Sequence, residues 1–160
     1  MSLLIRHMKK GLVWLLAIVG VAAILASCAN KDDQIDLTVY KNPQCACCDK
    51  WVEHMREAGF TVKVKRMSNM KSIKDRYGIE QHLQSCHTAI HNETGLFFEG
   101  HIPSEHIVSL LENRSELVRG LTVPGMPVGS PGMEIGDRKD SYEVLLITKD
   151  NDPTVYAREN

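Results

Sequence analysis

Residues 35–59 read IDLTVYKNPQCACCDKWVEHMREAG, and the architecture of the chain follows from how this stretch is divided. Ile35 to Tyr40 alternates apolar and polar side chains, the period of a half-buried strand. Asn42-Pro43 marks a turn and a helix start. Trp51, Val52, Met55 and Ala58 then recur at helical spacing, and Gly59 stops the helix. A strand therefore feeds a helix whose first turn carries Cys45, Cys47 and Cys48.

Working outward, Phe60 to Val64 reads as a second strand and Asn69 to Tyr77 as a helix, with a shorter helix before Cys86. Thr88 to His91 and Leu96 to Glu99 flank Asn92-Glu93-Thr94-Gly95 as a β-hairpin. Pro103-Ser104 caps a helix to about Asn113, with Ile107, Leu110 and Leu111 on its apolar face. The order β-α-β-α-β-β-α resembles the thioredoxin fold, so the expected class is α/β. Leu121 to Gly136 reads as a Gly/Pro/Met loop with Pro-Gly-Met at 124–126 and again at 131–133. Tyr142 to Thr148 and Thr154 to Ala157 add a C-terminal β-hairpin.

The 160 residues carry 19 Lys plus Arg against 20 Asp plus Glu, a net charge of −1. That balance argues against a nucleic-acid binder, which needs a basic face. The length suits one domain. Arg6, Lys9 and Lys10 precede an uncharged run from Gly11 to Ala26, the pattern of an export signal and short for a spanning helix. Leu25-Ala26-Ser27-Cys28 resembles the bacterial lipobox, which implies cleavage before Cys28 and lipidation of that cysteine. The alternative is an anchor helix with an incidental cysteine. The expected organisation is a signal over 1–27, a lipidated Cys28 and tether over 28–35, and the domain over 36–160. Ala29 resembles outer-membrane sorting in a Gram-negative host, so the domain is expected on the periplasmic side, lipid-anchored to the outer membrane.

Four cysteines remain for the domain. Amides and dipole at a helix N-terminus favour the thiolate at Cys45, Cys47 and Cys48. Cys45 and Cys48 share a face at i, i+3, and one simple disulfide does not use all three. In a thioredoxin fold Cys86, at the start of the third strand, lies against this helix end. Disulfide exchange needs two thiols, whereas a soft metal takes three or four, and thiolates bridge Cu(I). Ser85-Cys86-His87-Thr88 lacks the proline that thioredoxin-like oxidoreductases typically carry there, which favours metal. Two structural disulfides, a zinc site, or a thiol-disulfide oxidoreductase using Cys45 and Cys48 remain open.

His87 adjoins Cys86, although strand alternation argues against a shared site. Met126 and Met133 offer soft neutral sulfur, or else fill gaps beneath the loop. His54, His82, His91, His101 and His106 have no ligand spacing among themselves and read as packing or surface residues. Trp51 reads as core and as a shield for the cysteines.

The run Tyr40-Lys41-Asn42-Pro43-Gln44-Cys45-Ala46-Cys47-Cys48-Asp49-Lys50-Trp51-Val52 resembles the opening motif of the CopG family of periplasmic copper-resistance proteins. So do Ser85-Cys86-His87-Thr88-Ala89, Glu99-Gly100-His101-Ile102-Pro103 and residues 123–134. The resemblance spans roughly Leu37 to Arg158. Ala46 departs from the glycine common between the first two cysteines of that family, and the lipobox departs from its soluble forms. The resemblance implies a cysteine-bridged, multinuclear copper cluster held as Cu(I) by Cys45, Cys47, Cys48 and Cys86. It also implies His87, Met126 and Met133 as outer ligands, and a role in copper resistance that includes Cu(I)/Cu(II) cycling, with copper binding implied ahead of copper oxidoreductase activity. The partners implied are copper ions and other copper-handling proteins of the periplasm.

Overall fold

A computed structural model describes residues 34–150 and 152–160; the expected signal, Cys28 and most of the tether lie outside the described residues. Among the described residues, three helices and seven strands follow in the order β1 (Asp36–Lys41), α1 (Ala46–Glu57), β2 (Thr61–Arg66), α2 (Lys71–Arg76), a 3-10 turn (Gln81–Leu83), β3 (His87–His91), β4 (Phe97–Glu99), α3 (Ser104–Asn113), β5 (Val118–Thr122), β6 (Tyr142–Thr148) and β7 (Thr154–Glu159). All seven strands form one mixed sheet in the order β2-β1-β3-β4-β5-β6-β7. β1 runs parallel to β2 and antiparallel to β3, and β4 runs parallel to β5. Among the described residues no helix is long and apolar enough to cross a membrane.

Each face of the sheet buries one set of alternating side chains. Leu37, Val39, Ala89, Phe98 and Leu121 face α1 and α3, packing with Trp51, Val52, Met55, Ile107 and Leu110. Ile90, Phe97 and Ile147 face the other way, beneath Ile79 and Leu83 of the segment after α2. Trp51 is fully buried and its Nε1–H donates to the Ile102 carbonyl at 2.9 Å. α1 ends on a paired cap: Phe60 N–H donates to Met55 O and Gly59 N–H to Arg56 O, both at 3.0 Å. Gly59 sits at φ +92°, the left-handed position that this cap requires.

The element order matches the sequence expectation up to α3, and the C-terminal hairpin is present as β6 and β7. β5 is the correction: Leu121 and Thr122 belong to a strand rather than to the following loop. This strand pairs with both β4 and β6, so it joins the hairpin to the rest of the sheet. Gly120 hides β5 from a sequence reading, and its packing explains why it is glycine. A Cβ there would stand 1.9 Å from the Phe97 carbonyl oxygen, so only glycine lets the backbones approach.

Candidate metal centre

The site gathers at one end of the sheet, where β1 enters α1 and where the chain enters β3. Asn42 shapes the entry. Its Oδ1 accepts from Gln44 N–H at 2.9 Å and its carbonyl from Cys45 N–H at 3.1 Å. This turn places Cys45 as the N-cap of α1 in extended backbone, with Cys47 and Cys48 in the first turn. Cys86 lies directly before β3 and faces that helix end. The sulfurs of Cys45, Cys47, Cys48 and Cys86 all lie within 4.8 Å of one another.

Cys45 and Cys48 are joined as a disulfide, and Cys47 and Cys86 are free thiols. Cys47 Sγ stands 3.4 Å from Cys45 Sγ, and Cys86 Sγ stands 3.4 Å from Cys48 Sγ. Burial pushes the Cys86 thiol up to about 12, and the neighbouring Cys47 adds to the shift.

Two imidazoles complete the group. His87 Nδ1 is 3.3 Å from Cys86 Sγ, and His101 Nε2 is 3.0 Å from the same sulfur. Cys86, His87 and His101 form a second set of donor atoms within 4.8 Å. Because Cys86 precedes β3, strand alternation does not separate it from His87, which lies on the α1 face with its ring centroid 4.4 Å from that of Trp51. His101 Nδ1–H donates to the Pro131 carbonyl at 2.8 Å, which leaves Nε2 unprotonated toward Cys86. Burial lowers both imidazole pKa values, His87 strongly, and so favours the neutral, ligating form.

His87 Nε2 is buried and has no hydrogen-bond partner among the described residues. A buried nitrogen without a partner is costly unless something binds it. The donors are sulfur and neutral imidazole, the set that suits Cu(I) or zinc and repels hard cations. The residues therefore fit a soft metal.

The Gly/Pro/Met loop closes over this end. Gly132, at φ +86°, lies where a Cβ would stand 2.7 Å from Cys47 O and 2.8 Å from Trp51 N. Gly125 N–H donates to Gln84 O at 3.1 Å, and the Gly125 carbonyl accepts from the Ser85 hydroxyl. Met133 is half-buried and Met126 is 52% exposed. Beside the cluster, the buried Lys41 Nζ is 2.8 Å from the exposed Asp49 carboxylate, an ion pair without a well-aligned hydrogen bond.

Sequence spacing thus brings Cys45, Cys47, Cys48, Cys86 and His87 together. It misses His101, which lies fifteen residues beyond Cys86 and returns only through the β3–β4 hairpin. The Glu99–Pro103 motif held the one available signal. The remaining histidines serve packing or surface pairs: His54 Nε2 accepts from Ser104 N–H at 3.4 Å, and His106 Nε2 lies 2.7 Å from Glu159.

A family model described as "Protein of unknown function, DUF411" matches residues 83–133. No curated protein matches. Two solved structures, titled copper resistance protein CopG form 1 and form 2, are each 38% identical to this chain. They cover 79% and 80% of it and 98% and 100% of their own lengths, with TM-scores of 0.74 and 0.75. With that identity across nearly the full length of both structures, and with the cysteine cluster in place, the chain belongs to the CopG family of copper resistance proteins.

Proposed function

We propose that this chain binds copper in copper resistance, holding Cu(I) ions on a thiolate cluster built by Cys45, Cys47, Cys48 and Cys86. The observation that carries the reading is the convergence of four sulfurs within 4.8 Å of one another. Thiolates bridge soft cuprous ions, so these four sulfurs, once the Cys45–Cys48 disulfide is reduced, favour a multinuclear site. His87 and His101 are the nitrogen ligands, and Met126 and Met133 are outer sulfur ligands supplied by the loop. The site interconverts Cu(II) and Cu(I). The thioredoxin-like assignment rests on the β2-β1-β3-β4 order, with α1 and α3 against one face. Lipidation at Cys28 and residence on the periplasmic side of the outer membrane rest on the N-terminal sequence, and copper-handling proteins of that compartment are the partners.

The disulfide between Cys45 and Cys48 favours a second reading, a thiol-disulfide oxidoreductase. One experiment separates the two. The full chain is reduced without oxygen and titrated with Cu(I) against a competing chelator, and the same reduced chain is assayed for insulin reduction. The copper reading predicts tight binding of more than one copper per chain and no insulin turnover. Weak binding with four free thiols and rapid turnover would establish the second reading instead.

A further inference from the structure

We infer, resting on the copper reading above, that the Cys45–Cys48 dithiol is the electron source that turns incoming cupric ion into the cuprous ion the site retains. The geometry divides the site into a part that is oxidised and a part that is spared. The oxidised part is the pair already joined at the N-terminus of α1, with a Cα–Cα separation of 5.4 Å. The spared part is Cys47 and Cys86, each beside a different sulfur of that pair at 3.4 Å and both free. The donor set Cys86, His87 and His101 shares no residue with the disulfide, so it survives the oxidation intact. His101 keeps its lone pair aimed at Cys86 through the Pro131 anchor, and His87 Nε2, without a partner among the described residues, remains for a ligand.

The step balances for one reduced chain. The Cys45 and Cys48 S–H bonds break and one S–S bond forms. One electron passes to each of two cupric ions, and two protons leave to solvent. The oxidant is the cupric ion itself. The two cuprous ions produced meet Cys47, Cys86 and the imidazoles, soft donors that favour the reduced state. Oxidation of the pair and capture of the product therefore occur within one cluster of sulfurs.

The test uses the full chain, fully reduced and kept free of oxygen. Cu(II) is added stepwise, its paramagnetic resonance signal is followed, and free thiols are counted and mapped by alkylation and peptide mass after acid quenching. The inference predicts that two equivalents of Cu(II) become silent per chain and that two thiols are lost, at Cys45 and Cys48. A persistent Cu(II) signal from the first equivalent, loss of Cys47 or Cys86, or disulfides between chains would overturn it. A parallel Cu(I) titration of the reduced and the disulfide forms separates this inference from the copper reading. Tight Cu(I) binding by the reduced form with no reduction of Cu(II) overturns the electron source alone. No Cu(I) binding by either form overturns both. The disulfide form is predicted to hold fewer copper ions than the reduced form, and failure to hold any would overturn the role given to the spared donors.

Discussion

Two polar centres, one buried and one half-buried, lie at the same end of the sheet, on opposite faces of β3 and β4, and they are built on opposite principles. Behind the sheet, Lys74 and Glu99 form an ion pair with side chains 6% and 0% exposed. Glu99 also accepts from Thr88 Oγ1–H at 2.6 Å and from Ser85 N–H at 2.7 Å, so both carboxylate oxygens are satisfied. Toward α1, the thiols and imidazoles have too few partners for their number, and His87 Nε2 has none among the described residues. A buried network with every group satisfied holds structure in place, whereas one with groups left over is waiting for a ligand. The two are coupled through the backbone, since the amide that Glu99 fixes belongs to Ser85, next to Cys86. The ion pair thus anchors the chain just where it delivers the fourth sulfur.

The sharpest way to break this contrast is to remove one member from each side. Cys47→Ser is expected to cause a sharp loss of bound copper, read by the Cu(I) chelator titration, while leaving the thermal transition nearly in place. Unchanged stoichiometry and affinity would mean that Cys47 is not a bridging thiolate. Glu99→Gln is expected to do the reverse. It leaves Lys74 charged and buried without its partner, a cost of about 3–5 kcal/mol in denaturant unfolding, with copper stoichiometry retained in whatever fraction stays folded.

A smaller effect is expected from Gly132→Ala, which strains a left-handed backbone and forces a methyl group against Cys47 O and Trp51 N. The cost should be about 1–3 kcal/mol, accompanied by weaker copper retention because the loop is lifted from the cluster. Protons give a gentler handle. The Cys86 thiol, pushed up to about 12, is neutral at pH 7, so a copper bound there displaces a proton. Apparent Cu(I) affinity should therefore rise with pH, by ~tenfold per unit for that one proton, as measured by chelator competition between pH 6 and 8. Smallest of all, Met126→Leu at a half-exposed position should leave stability within about 0.5 kcal/mol and weaken copper retention far less than loss of a cysteine.

The difference between the two centres also marks what was legible in the sequence. Alternation over 35–40, helical spacing over 51–58 and the Cys45–Cys48 run are local signals, and each set its element and its part of the site. The Lys74–Glu99 pair and the contact of His101 with Cys86 are not local. The first forms only when α2 packs against β4 and the second only when the β3–β4 hairpin closes, from residues 25 and 15 positions apart. β5 was concealed by Arg119 and Gly120, which interrupt a strand pattern because Phe97 packs across that glycine. His87 shows the opposite failure. Alternation separates it from Cys86 only if both residues lie on the strand, and the chain turns into β3 one residue after Cys86.

Copper held on the four sulfurs is tested most directly by X-ray absorption at the copper edge on the reduced, Cu(I)-loaded full chain. A first shell dominated by sulfur, with a copper–copper contribution behind it, is the predicted result. A shell of nitrogen and oxygen alone, with no neighbouring copper, would contradict the account.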